Sequence, residues 1–210
     1  MPHSLDQQHT VQHTLVAPAI TAPNTLTQES SHPPQRSEYL AHRQTAMLDM
    51  AVAAAEQALA MWGGNRDEIT HLYWGTMTGG MHSPTLDIAL AKRLGLSMDV
   101  ERTSIEGMGC LTGFRLLNLG RLASRAEATA RVLVVEAELR SAIGNSLPPK
   151  AQKGDIVAAA LFRDAASAAV VGRALSSLEW PKYELLHGKS RILEETHELV
   201  SVQALGGAVA

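Results

Sequence analysis

A layered α/β fold is predicted by three observations. Stretches with helical spacing of apolar residues alternate with short, continuous apolar runs of the kind that form strands buried on both faces. Glycine pairs and loops rich in Gly, Ser and Pro separate many of them. The strongest run, RVLVVEAEL at 131–139, is apolar enough to lie in the middle of a sheet.

The elements follow in order. From Ser37, the segment SEYLAHRQTAMLDMAVAAAEQALAMWGG places Leu40, Met47, Met50, Ala51, Ala54, Ala58 and Met61 near one face of a long helix, which Gly63 and Gly64 stop. ITHLYWGTM, 69–77, predicts a strand, and TGGMHSP a loop. Leu86 to Leu94 predicts a second helix closed by Gly95, and Val100 to Ile105 a short strand running into GMGC. LTGFRLLNLGRLAS predicts a third helix with Leu111, Phe114, Leu117 and Leu122 on a shared face. After the central strand comes a polar loop over 141–154. IVAAALF and SAAVVG then predict two short apolar strands separated by Arg163 and Asp164. There is no internal repeat.

The organisation expected is a disordered or loosely docked tail over 1–36, one domain over 37–200, and an irregular end over 201–210. The tail is rich in Gln, Thr, Ser, Pro and His and has no steady period; His3, His9 and His13 within it lack the Cys or carboxylate companions of a metal site. No metal site is expected. With 18 Lys and Arg against 21 Asp and Glu, the net charge is −3, which speaks against a nucleic-acid partner. No run approaches the ~18 apolar residues of a membrane-spanning helix, and no secretory leader is visible, so no membrane partner is expected. The single cysteine in 210 residues leaves no internal disulfide and fits a reducing, cytoplasmic setting.

That cysteine is the candidate for chemistry. In SIEGMGCLTG, 104–113, Cys110 lies where a strand gives way to a helix, among Gly107, Gly109 and Gly113. Glycines permit a tight turn and close approach of a substrate to the backbone. A cysteine at a helix N-terminus meets unpaired N–H groups and the positive end of the helix dipole, which favour the nucleophilic thiolate. The same N–H groups can hold an oxyanion formed when sulfur attacks a carbonyl. A free cysteine is otherwise commonly a small buried apolar side chain. No GK[ST] follows the glycines, so this is not a phosphate loop.

Six segments in order, WGGNRDEITHL, GTMTGGMHSPTLDIALAKRLGL, EGMGCLTGFRLL, ARVLVVEAEL, AALFRDAASAAVVG and KYELLHGKSRILEETHEL, resemble the N-terminal portion of the type III polyketide synthases, the chalcone synthase superfamily. The resemblance spans about Ser37 to Val200 and implies the N-terminal half of a thiolase-like fold, a mixed sheet with helices and the nucleophile at a strand-to-helix turn. It implies acyl loading from a CoA thioester onto Cys110, then decarboxylative condensation with malonyl-CoA. Acyl-CoA and malonyl-CoA are substrates, and no cofactor is implied. Phe162 matches a pocket-gating phenylalanine; an ordinary core aromatic is the alternative. The loop from Thr78 to Pro84, with Met81 and His82, resembles a segment that crosses a dimer interface. A homodimer, or pairing with a chain carrying the second half, is therefore expected.

The family's catalytic histidine and asparagine belong to the second half, downstream of these landmarks, so full turnover is expected to need residues outside this chain. His187 and His197 lack the glycine-rich setting of the missing histidine. Arg163, beside Phe162, either narrows a pocket, meets a phosphate or faces solvent, and Arg140 stands near a position that is often small or hydroxylated in the plant members of that family. Two other readings stay open: a ketoacyl-ACP synthase-like condensing enzyme, and a non-catalytic module that pairs with an intact synthase.

Overall fold

The run of valines and leucine at 131–138 organises the molecule. In the computed structural model, which describes residues 12–16, 20–21, 36–79, 84–140, 152–173, 179 and 181–196, it forms strand β5 (Arg131–Glu138). An extended chain sends alternate side chains to opposite faces. Val132 and Val134 accordingly pack on one side, and Leu133, Val135 and Ala137 on the other. On its flanks lie β3 (His71–Thr76), parallel to it, and β6 (Ala165–Gly172), antiparallel to it. Beyond β3 lies β4 (Glu101–Glu106), also parallel; beyond β6 lie β1 (Gln12–Val16) and then β7 (Tyr183–Glu184). The result is a seven-stranded mixed sheet in the order β4-β3-β5-β6-β1-β7, with β2 (Ile20–Thr21) also paired to β6.

Helices cover both faces. The long α1 (Arg36–Trp62) and α2 (Leu86–Leu94) occupy one side, where Met47, Ala51, Ala54, Ala58, Leu90 and Leu94 meet Leu72, Trp74 and the odd-numbered β5 residues. Ala51, Ala54, Ala55 and Ala58 of α1 let its backbone lie close to the sheet, and these four are fully buried. On the other side lies α3 (Thr112–Ala126), whose Leu116 joins Val132, Val134 and Val171. This is the layered α/β arrangement that the alternating pattern predicts.

Three details differ from the sequence reading. IVAAALF does not form a strand: α4 (Lys153–Leu161) takes up all of it except Phe162. A short apolar run has no period that separates buried strand from helix, and alanine is the best helix former. In α3, the side that packs inward is Thr112, Leu116, Gly120 and Ser124; Leu111, Phe114 and Leu122 are exposed. Small side chains there permit close contact, and a Cβ on Gly120 would come within 3.3 Å of Val171. Within the segment expected to be a tail, β1 and β2 pair with β6, with Thr14 opposite Val171 and Ile20 opposite Ala166. The rest of 1–35, with His3 and His9, lies outside the described residues, as do Met81, His82, His197 and the segment 201–210.

Candidate functional site

Cys110 lies at the turn from β4 into α3, and it is exposed. β4 runs parallel to β3, and the Gly107 N–H continues that pairing by donating to the Thr76 carbonyl at 3.1 Å. The chain then reverses through Gly107 at φ 80° and Gly109 at φ 64°. A side chain at either φ crowds its own backbone, which is why glycine stands at both. Met108 lies between them, and Gly109–Leu111 form a short 3₁₀ turn that leads directly into α3. The Thr112 hydroxyl donates to the Gly109 carbonyl at 2.7 Å and ties the turn to the helix. Cys110 thus precedes the first turn of a 15-residue helix. The Thr112 N–H there donates to the Gly109 carbonyl, and the start of the helix carries the positive end of its dipole.

Glycines also press this end of α3 onto the sheet. A Cβ on Gly75 of β3 would run into Leu116 Cδ1 at 2.7 Å and into the Thr112 methyl. A Cβ on Gly113 would collide with Glu136 Oε2. Glu136, on β5, is a carboxyl group held under the first turn of α3. Burial first, and the charge of Glu138 second, push its pKa from 4.5 up to about 7. With side chains alternating along a strand, Glu136 and Glu138 fall on the same face.

Glu138 has a separate task. Its carboxylate accepts hydrogen bonds from the Met77 N–H at 2.6 Å, the Thr78 N–H at 2.9 Å and the Thr78 hydroxyl at 2.6 Å. The Thr78 hydroxyl in turn accepts from the Leu139 N–H at 2.7 Å, and Arg43 of α1 donates to the Thr78 carbonyl at 2.9 Å. These bonds fix the corner after β3. That corner touches the Gly107–Leu111 turn, since a Cβ on Gly109 would lie 3.6 Å from Met77 Sδ. The sequence reading missed Arg43, Thr78, Glu136 and Glu138. The signal available was VVEAE: two acids at period two in a strand otherwise apolar on both faces.

Phe162 follows α4 and is 54% exposed. The Arg163 side chain is exposed, and its Nε donates to the Ala160 carbonyl at 3.1 Å, closing the end of α4. His187 lines a groove of about 400 Å³ together with Met108 and Leu111, which lie on either side of Cys110 in the chain; Cys110 and Phe162 do not line that groove. No group of three or more metal-ligating side chains occurs among the described residues. No helix among them is long and apolar enough to cross a membrane.

Comparison with known proteins agrees with this architecture. Residues 15–174 match the family described as chalcone and stilbene synthases, N-terminal domain. Bisdemethoxycurcumin synthase of Oryza sativa subsp. japonica is 32% identical over 158 residues, covering 75% of this chain and 39% of that protein. Type III polyketide synthase 10 of the same organism is 34% identical over 155 residues, covering 74% and 38%. Among solved structures, the C-terminal type III polyketide synthase domain of Steely1, a type I/III hybrid from Dictyostelium, superposes with a TM-score of 0.68 at 31% identity, covering 76% of this chain and 43% of that one. A mutant of CsyB superposes with a TM-score of 0.67 at 28% identity, over 76% and 45%. The chain therefore spans about two fifths of the length of the curated relatives it matches. The mixed sheet, the helices on both faces and the match over 15–174 lead to one conclusion: this chain belongs to the chalcone and stilbene synthase family and carries its thiolase-like N-terminal domain.

Proposed function

We propose that the chain is the nucleophile-bearing half of a type III polyketide synthase and that Cys110 is its acyl acceptor. The observation that carries this reading is the placement of the chain's single cysteine, exposed, on a glycine turn at the start of α3. The Cys110 thiolate attacks the carbonyl carbon of an acyl-CoA. The carbonyl π electrons move to oxygen, where the positive end of the α3 dipole stabilises the developing oxyanion. Collapse of the tetrahedral intermediate re-forms the carbonyl, breaks the bond to the CoA sulfur and releases CoA thiolate, which takes up a proton. The product is a Cys110 thioester. Extension by malonyl-CoA, with loss of carbon dioxide, then calls on residues outside this chain, supplied by a second half or a partner chain. Glu138 and Arg43 position the Met77–Thr78 corner against the nucleophile turn.

The exposed side of α3 favours a second reading, a module whose role is to pair with another chain. One experiment separates the two. The purified chain is mixed with short- and long-chain acyl-CoA esters and its intact mass is measured, with Cys110→Ala as control. A gain equal to the acyl group, lost in C110A, is expected. An unmodified wild-type chain, or a C110A chain that still becomes acylated, overturns the acceptor role.

A further inference from the structure

Glu136 is placed to act on Cys110. A Cβ on Gly113 would meet its Oε2 first, then its Cδ and Oε1, so the missing side chain of Gly113 is the room the carboxyl occupies. Gly113 is the second residue of α3 and comes three residues after Cys110, about one turn of helix and a rise of about 5–6 Å. That turn carries the positive end of the α3 dipole, which favours a thiolate at Cys110. An ionised carboxyl under it cancels part of that field and repels the thiolate; a neutral carboxyl does neither. The two acids of β5 differ in this respect. Glu138 accepts three hydrogen bonds and holds a corner of the fold, whereas no hydrogen bond to Glu136 is found among the described residues.

The surroundings leave the carboxyl free to change its charge. Beside it in the sheet stand Gly75 of β3 and Ser167 of β6, and α3 covers it with Gly113 and Leu117; none of these carries a charge. Arg115 of α3 lies about 200° round the helix from Gly113 and lines the groove on the other side. Among the described residues, the charge that acts on Glu136 is Glu138, next on the same face of β5, and it adds to burial in favouring the neutral form. A cavity of about 70 Å³, lined by Gly113, Leu117, Val134 and Ser167 among others, lies against the carboxyl. It is large enough for water, so the group can gain and lose its proton in the folded chain. We propose that Glu136 is a positioning residue that sets the reactivity of Cys110 by its charge: neutral, it leaves the thiol the full positive end of α3; ionised, it opposes the thiolate one turn away. The proposal deepens the acyl-acceptor reading of Cys110 and rests on it.

Cys110 is the chain's single cysteine, so its thiolate can be read directly in the full chain. Ultraviolet absorbance follows it from pH about 5 to about 10 with Cys110→Ala as blank, and the rate of alkylation by iodoacetamide gives a second reading. Glu136→Gln is expected to lower the midpoint of thiolate formation by about half to one pH unit, the effect of removing one charge about 7 Å away across partly hydrated protein. Alkylation should be equal in the two proteins at pH about 6, where the wild-type carboxyl is mostly neutral. At pH about 8 it should be about twofold faster in E136Q, the gain in thiolate being partly offset by its lower basicity. Glu136→Asp keeps a charge at the site and should stay closer to the wild type than to E136Q. Coincident midpoints in the wild-type chain and E136Q overturn the proposal. So does an equal shift in E136D, which would mark disturbed packing, or a ratio of alkylation rates that does not change with pH. The assay contains no CoA ester, so a chain that takes up no acyl group tells against the acceptor role alone and leaves this result to be judged separately.

Discussion

Glu136 gives the chain a pH dependence that can be read in its stability. Its carboxyl is half-buried on β5, and its pKa rises from 4.5 to about 7, mainly through burial and then through the charge of Glu138. Between those values the folded chain keeps a proton that the unfolded chain has released. Stability therefore falls as pH rises across that window and is flat above it, since the state that binds more protons is favoured at lower pH. At about 1.4 kcal/mol for each pH unit, a rise from 4.5 to about 7 sets a ceiling of about 3 kcal/mol. Water reaches part of the carboxyl and screens it, so about 1–2 kcal/mol is expected. The perturbation is Glu136→Gln, which keeps the shape and removes the titration. The assay is urea unfolding followed by tryptophan fluorescence, for which the buried Trp62 and Trp74 serve as reporters, at pH about 5 and about 8. The wild-type chain should lose that increment between the two pH values relative to the variant. Parallel changes in the two proteins would refute the argument that the folded chain holds this carboxyl protonated.

Three further outcomes follow from the same corner of the molecule. Gly113→Ala puts a methyl group into Glu136 Oε2 and should cost about 1–2 kcal/mol, much of it recovered when Glu136→Ala is added; a double-mutant cycle measures the coupling. Gly109→Ala meets no atom closer than Met77 Sδ at 3.6 Å, so its cost, about 1–2 kcal/mol in thermal unfolding, comes from the backbone at φ 64°, and Gly109→Asn should cost less. Glu138→Gln replaces an acceptor of three hydrogen bonds by an amide with one oxygen and should destabilise the chain by about 1–3 kcal/mol; hydrogen exchange at the Met77 and Thr78 amides should rise more than in the rest of β3.

The elements whose chemistry is local were legible in the sequence. The glycine-bounded GMGC turn, the helix ending at Gly95 and the strand VLVV each declare themselves over a few residues, and each forms where expected. What escaped depends on partners distant in sequence. Leu111 and Phe114 look like a core face only if hydrophobicity alone decides; in α3 the inward side is small, because Gly75 and Gly120 bring sheet and helix too close for large side chains at every contact. β1 lacks a long alternating pattern and owes its place to β6. Glu136 and Glu138 acquire their roles only when the loop after β3 and the first turn of α3 fold over the end of β5. The strand-to-helix placement of Cys110 was legible because glycine's backbone freedom leaves a mark in the sequence itself.

The pairing of β1 with β6 sets an order of events during synthesis. Thr14 meets Val171 and Val16 meets Ala169, so β1 leaves the ribosome well before the strand it pairs with. While it waits, β5 also lacks β6, and the open flank of so apolar a strand is an edge of the kind that pairs with the wrong neighbour. Closing so long a loop makes assembly slow compared with a helical bundle. Translation rate and chaperone supply, more than the stability of the finished sheet, should then govern how much of this chain reaches its native state.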